Sequence, residues 1–285
     1  MTAPDRVDAH HHVWDLRRRP QPWTEGVPAL HRSFPFEELK PQLAVNGVGA
    51  TVVLHTVASI DETHELLRLS AGQPAIAGVV GWFDLASPAL ADDLTAARAM
   101  PGGRHLVGAR HQLQEEPDPQ WLDQPAVRRG LRTLAEHRLA YDIVVSPERL
   151  PTVVRAVTDN PELRFVLDHA GKPPLRTGAL DSWNRDLTRL ALLDNVTVKL
   201  SGLVTEADWE RWTVADLRPA ASTVIDLFGP GRTMFGSDWP VCLAAGADYA
   251  RVAGTFEELV SGLDEAERAL VWGGTARRVY RLEAE

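Results

Sequence analysis

Short apolar runs alternate along the chain with longer segments whose apolar residues recur every three or four positions. The runs are Arg6–Ala9, Ala50–His55, Ala75–Phe83, Leu106–His111, Ala140–Val145, Arg164–His169, Val196–Ser201 and Arg232–Ser237. Most are nearly continuous in apolar content, the pattern of parallel strands covered on both faces. Helical periodicity fills the intervals Phe36–Val45, Asp61–Ala71, Ala89–Met100, Ala126–His137, Pro147–Asn160, Leu180–Asp194 and Leu217–Phe228, and the chain from Tyr249 onward. Ser87-Pro88 and Ser146-Pro147 read as an N-cap followed by proline in the first turn, and Asp61-Glu62 as an acidic first turn. Strand and helix alternating eight times predict an α/β chain closed as a (β/α)8 TIM barrel, one domain over residues 1–285. An open doubly wound sheet would place a glycine-rich phosphate loop after its first strand. Here that strand runs into Asp8-Ala9-His10-His11-His12 instead. The connection Val13–Pro35, rich in Pro, Trp and Arg, reads as a loop over the barrel mouth.

The formal net charge of -9 speaks against nucleic acid or an anionic membrane as partner and leaves a small-molecule substrate. A single cysteine, Cys242, permits no internal disulfide. Met1–Arg6 is short and polar, and no run reaches the roughly 18 apolar residues of a membrane span. The expectation is a cytoplasmic protein. Nine tryptophans are enough to serve the core and also to wall a pocket.

Three strand ends carry candidate chemistry. On a regular strand Asp8, His10 and His12 share one face, here the interior, and Ala9 and His11 take the other. Two inward imidazoles form a metal-binding or polarising pair. In Phe165–Pro173, alternation gives His169 the inward face of Phe165 and Leu167, with Asp168 free to orient a neighbour; a satisfied core histidine is the competing reading. In Met234–Pro240, Gly236 makes room at a crowded strand end and Asp238 projects a carboxylate that can bind metal or take a proton from water. Arg110 and His111 end strand 4 and are candidate ligands of a substrate carboxylate or hydroxyl. Tyr141 is a further candidate contact, although packing or hydrogen bonding behind the site is the competing role for it, for His55 and for Lys199. His31, His64, His105 and His137 fall in loops or helices and read as surface residues.

Six pieces, in order and each at a strand end, carry a resemblance: Asp8–Asp15, Gly78–Asp84, Gly108–Gln114, Leu167–Pro173, Val198–Leu203 and Phe235–Pro240. With them the chain resembles the amidohydrolase superfamily (amidohydrolase-related family 2), and within it the branch of barrel hydrolases that includes L-fucono- and L-rhamnono-lactonases. The resemblance implies opening of a sugar-acid lactone or related cyclic ester. It implies Asp238 as general base and His10, His12 and His169 around the carbonyl, with Trp14, Trp82 and Trp239 as candidate walls. It also implies at most one divalent ion such as Zn2+, held by some of His10, His12, His169 and Asp238, or a metal-free site. Binuclear relatives place a bridging lysine at the end of strand 4, where this chain has Arg110-His111. The alternatives are a metal-dependent nonoxidative decarboxylase of a small aromatic acid and a non-catalytic sugar-binding barrel.

Overall fold

The eight runs form eight parallel strands: β1 (Arg6–His11), β2 (Val48–Leu54), β3 (Ile76–Gly81), β4 (Leu106–Gln112), β5 (Ala140–Val144), β6 (Arg164–Leu167), β7 (Val196–Leu200) and β8 (Thr233–Phe235). Each pairs with the next in chain order. The barrel closes beyond β8, where His12 N–H donates to Trp239 O (2.7 Å) and Asp238 N–H donates to His10 O (2.8 Å). This computed structural model describes residues 6–282; the polar stretch before Arg6 lies outside the described residues.

Helices α1 (Phe36–Val45), α2 (Ile60–Gly72), α3 (Leu90–Arg98), α4 (Pro125–Glu136), α5 (Leu150–Asp159) and α6 (Asp181–Ala191) follow the first six strands. After β7 come a single turn, α7 (Leu203–Glu206), and then α8 (Val214–Phe228); after β8 come α9 (Tyr249–Leu259), α10 (Glu265–Ala269) and α11 (Thr275–Tyr280). Two apolar layers result. The inner one holds Val7, Ala9, Val52, Leu54, Val80, Val166 and Met234 and is plugged by Ala276, Val279, Tyr280 and Leu282 from the chain's last helix and end. The outer one lies between sheet and helices and holds Val53, Val79, Tyr141, Phe165, Leu167, Val198 and Phe235. Each of the Val, Leu, Met and Phe side chains among them, fully buried, contributes about 1.5–3 kcal/mol.

Local differences from the sequence reading have physical causes. β6 and β8 stop earlier than expected because the chain turns left-handed at His169 (φ 53°) and Asp238 (φ 54°). α2 keeps the expected acidic first turn in Asp61 and Glu62 but starts one residue earlier, at Ile60, where Ser59 caps it by accepting from Glu62 N–H. Ser87-Pro88 sits in a turn that precedes α3, whereas Ser146 takes the N-cap position, with Pro147 first, of a 3-10 turn that runs directly into α5. α8 begins three residues early because Thr213 and Asp216 form a capping box.

Candidate active site

β1 is not regular. Val7 and Ala9 pack inside the barrel, so Asp8 faces outward, contrary to the expectation from alternation. There its carboxylate accepts from Ser237 N–H (2.9 Å) and Ser237 O–H (2.6 Å), and burial pushes its pKa up to about 6. Asp8 lies opposite Thr51 but His11 opposite Val53, so β1 carries one extra residue there. This bulge turns His10 inward directly after Ala9. Alternation then resumes, with His12 inward and His11 outward against Phe36, ring centroids 5.9 Å apart.

Fully buried His11 bonds Thr51 Oγ1 through Nε2 (3.0 Å). Burial, then the neighbouring His12, lowers its pKa to about 3. The folded state therefore keeps His11 neutral while the unfolded chain protonates it below about pH 6.5. Its contribution is full above that pH and declines as pH falls toward 3. Relative to a His11→Gln variant, the parent should lose on the order of 2–3 kcal/mol between about pH 7.5 and 4.5 in denaturant melts. Parallel pH profiles for the two proteins would contradict this burial.

Alternation also misassigns β6. Val166 faces the interior, whereas Phe165 and Leu167 face the helices. Asp168 is therefore the inward residue. His169 reaches the mouth by another route: His169, Ala170, Gly171 and Lys172 all have left-handed backbone, with φ of 53°, 53°, 69° and 54°. Each non-glycine residue in that conformation costs roughly 1–2 kcal/mol, and such strain gathers at functional sites. Two glycines make space nearby. A Cβ on Gly202 would sit 2.5 Å from His169 Nδ1, and one on Gly236 would sit 2.6 Å from His10 Cβ.

At the mouth, His10 Nε2 and His12 Nε2 face each other at 3.2 Å. Asp238 Oδ1 is 3.6 Å from each. Hydrogen bonding behind the rings fixes their tautomers. His12 Nδ1 lies 2.9 Å from the carbonyl of Leu54, which can only accept, so Nδ1 carries the proton. His10 Nδ1 lies 3.2 Å from Asp168 Oδ1 and 3.3 Å from Lys199 Nζ; the ammonium is already engaged by Asp142 and Asp168 at 2.6 and 2.9 Å, so Nδ1 carries the proton and donates to the carboxylate. Both Nε2 atoms therefore present lone pairs. Two bare nitrogens this close repel unless a cation or proton lies between them. Tetrahedral Zn–N bonds of about 2.0–2.1 Å put ligand nitrogens about 3.3 Å apart, so His10, His12 and Asp238 fit a divalent ion.

His169 does something else. Ser201 Oγ accepts from His169 N–H (3.3 Å) and lies 2.9 Å from Nδ1. With the hydroxyl donating to Nδ1, the ring proton sits on Nε2. Burial lowers the His169 pKa to about 4, against the opposing pull of Asp238 and Asp168. It is thus a neutral donor.

Beneath the histidines lies a buried ionic column. Lys199 Nζ binds Asp142 Oδ2 (2.6 Å) and Asp168 Oδ1 (2.9 Å). Tyr280 O–H donates to Asp142 Oδ2 (2.5 Å). Arg110 donates to Asp168 Oδ2 (3.2 Å) and to the His55 carbonyl. Burial pushes Asp142 up to about 6 even beside Lys199. Burial would raise Asp168 too, but Lys199, His10 and Arg110 hold it well below the usual carboxylate range.

The column leads up to a cavity of about 200 Å³ lined by His12, Arg110, His169, Asp238, Lys172 and Glu206, among others. That is below the usual 300–1,000 Å³ of drug-sized sites and suits a one-ring molecule. Other expected contacts lie elsewhere. His111 stacks on Trp121 (4.0 Å) and pairs with Glu116 (3.1 Å), because it follows inward Arg110 and so faces out. Tyr141 also faces out, against Phe165. Trp14 packs with Phe34 and donates to Arg32 O, closing the base of the 13–35 loop. The Trp82 backbone donates to and accepts from the Thr63 hydroxyl, and its ring does not line the cavity. Trp239, buried, packs on Phe34. The tryptophan that does line the cavity is Trp23, carried by the loop expected over the mouth.

The sequence profile of the amidohydrolase family matches residues 7–282. The chain belongs to the amidohydrolase family. An L-fucono-1,5-lactonase of Burkholderia multivorans is 42% identical to this amidohydrolase, over 97% of this chain and 96% of the relative. One of Burkholderia ambifaria is 36% identical, over 98% and 96% respectively. A crystal structure of a Burkholderia multivorans amidohydrolase with bound zinc superimposes with a TM-score of 0.93 at 40% identity, covering 98% of this chain and 99% of that one. The amidohydrolase described here has no lysine at the end of β4; Lys199 comes from β7 and is held between two carboxylates. Among the described residues, no helix is long and apolar enough to cross a membrane.

Proposed function

We propose that this chain hydrolyses a neutral sugar-acid lactone, with His10, His12 and Asp238 holding one divalent ion. The observation that carries the reading is the pair of unprotonated Nε2 atoms 3.2 Å apart with the Asp238 carboxylate beside both. The lactonase relatives supply the substrate class. Asp168 and His169 join His10 in a second possible ligand group, but both Asp168 oxygens are already taken by Lys199, His10 and Arg110. One ion, not two, therefore suits the donors.

A bound divalent ion supplies positive charge near the carbonyl and acidifies water. The protein groups do the rest. Asp238 takes a proton from water as its oxygen attacks the ring carbonyl carbon. His169 Nε2–H is placed to donate to the oxygen that gains charge. His10 and His12 cannot donate there, since their protons lie on Nδ1. As the ring C–O bond breaks, protonated Asp238 returns its proton to the departing ring oxygen, giving the open hydroxy acid. The decarboxylase alternative asks for a substrate carboxylate in a cavity already lined by Glu115, Glu206 and Asp238, with Arg110 engaged by Asp168 and His55.

Proton release on opening L-fucono-1,5-lactone, followed with a pH indicator, tests the reading. Complete chelation should cost on the order of 10²-fold in rate or more, and one equivalent of Zn2+ should restore it. Full activity in protein shown by elemental analysis to be metal-free would refute the ion's role, and two tightly held equivalents would refute a single site.

A further inference from the structure

We propose that Lys172 and Glu206 form a hydroxyl-reading pair that selects polyhydroxylated over carboxylate-bearing or plain lactones, an inference that rests on the lactonase reading above. Both side chains line the cavity beside Asp238 and His169. Lys172 Nζ and Glu206 Oε1 stand 3.7 Å apart. That is too long for a hydrogen bond, so the ammonium keeps donors and the carboxylate keeps acceptors for a third party. Each side chain is about a quarter exposed, at 24%, and neither is a free surface charge.

The backbone holds the pair in place. Lys172 ends the left-handed turn that also aims His169. Glu206 ends α7, the single turn that Gly202 starts beneath the His169 ring. The two loops are tied together: Arg176 N–H donates to Glu206 O (3.1 Å), and the Arg176 guanidinium reaches Ala207 O (3.5 Å). Two groups held this way cost little to organise when a ligand arrives.

Adjacent hydroxyls on a sugar ring complement the pair. One donates to the Glu206 carboxylate and its neighbour accepts from the Lys172 ammonium. A lactone without hydroxyls would desolvate both groups and pair neither, the situation in which a polar site rejects a ligand most strongly. A ring carboxylate would find Lys172 but would meet Glu115, Glu206 and Asp238 across the same cavity, with Arg110 already engaged by Asp168 and the His55 carbonyl.

The test is steady-state kinetics of the parent, Glu206→Gln and Lys172→Met with L-fucono-1,5-lactone, its monodeoxy counterparts and 2-pyrone-4,6-dicarboxylate. The parent should prefer the fully hydroxylated lactone over one or two deoxy compounds by about 10- to 100-fold in kcat/KM. In the variants that preference should collapse to within about threefold. The loss should fall in KM rather than kcat, because the hydroxyls are read in ground and transition state alike. Discrimination that survives both substitutions, or a loss confined to kcat, overturns the proposal. Calorimetric binding of the matching 1,5-lactam, which is not opened, separates this from the lactonase reading. Weakening of about tenfold or more in each variant supports the pair even if no lactone is turned over. Unchanged affinity, or no binding by the parent, overturns it.

Discussion

Asp238→Asn is expected to lower kcat for lactone opening by about 10²–10⁴-fold, the usual worth of a general base. The amide is nearly isosteric and the backbone bonds that hold this residue, Asp238 N–H to His10 O and Cys242 N–H to Asp238 O, do not involve the side chain. The fold should therefore survive, with a melting temperature close to the parent's. Asparagine cannot take the proton from water, and it cannot return one to the ring oxygen. It is also a poorer metal ligand, so zinc content has to be measured in the same preparation. Reloading with excess Zn2+ separates the two effects: an ion-bound but inactive variant places the defect in proton transfer. A rate within a few-fold of the parent, with metal bound, would remove Asp238 from the role of base.

Much of the architecture was legible because buried parallel strands write themselves as apolar runs. The ionic column was only half legible: hydrogen bonding behind the site is a sequence expectation for Lys199, but its pairing with Asp142, the charge that interrupts strand β5, comes from the structure. Side-chain direction was less legible, for two reasons. Period-two alternation assumes an unbroken strand, and the bulge in β1 reverses the phase between Ala9 and His10. Alternation also ends with the strand, whereas His169, Lys172 and Asp238 reach the mouth through left-handed backbone at positions whose residue type does not announce it. The tryptophans illustrate a third limit. Trp14 and Trp23 share one loop, and which of them meets the cavity depends on the pairing of Trp14 with Phe34 at the loop's base. That is a tertiary fact. Tautomers are likewise tertiary: the Leu54 carbonyl and the Asp168 carboxylate decide that His10 and His12 accept rather than donate.

Lys199→Met should be the most damaging single change to stability away from the mouth. Lys199 is wholly buried, with its ammonium 2.6 Å from Asp142 and 2.9 Å from Asp168. Methionine fills similar volume but leaves two carboxylates in the barrel interior without their shared cation. Breaking a buried pair in this way costs about 3–5 kcal/mol, which for a chain of this size is on the order of a 10 °C fall in melting temperature. Acidification should shrink the gap. Without Lys199, burial holds the folded pKa of Asp142 still further above the unfolded value of about 3.9, whereas Asp168 keeps the Arg110 guanidinium. The folded state then binds more protons than the unfolded one, so the penalty is full above the raised pKa and fades as pH falls through it. Adding Asp142→Asn to Lys199→Met should recover part of the loss at neutral pH, since it removes one of the stranded charges and keeps an acceptor for the Tyr280 hydroxyl. A melting temperature within about 2 °C of the parent would mean that the column contributes little to stability. A gap that widens on acidification would mean that the stranded charges are not its cause.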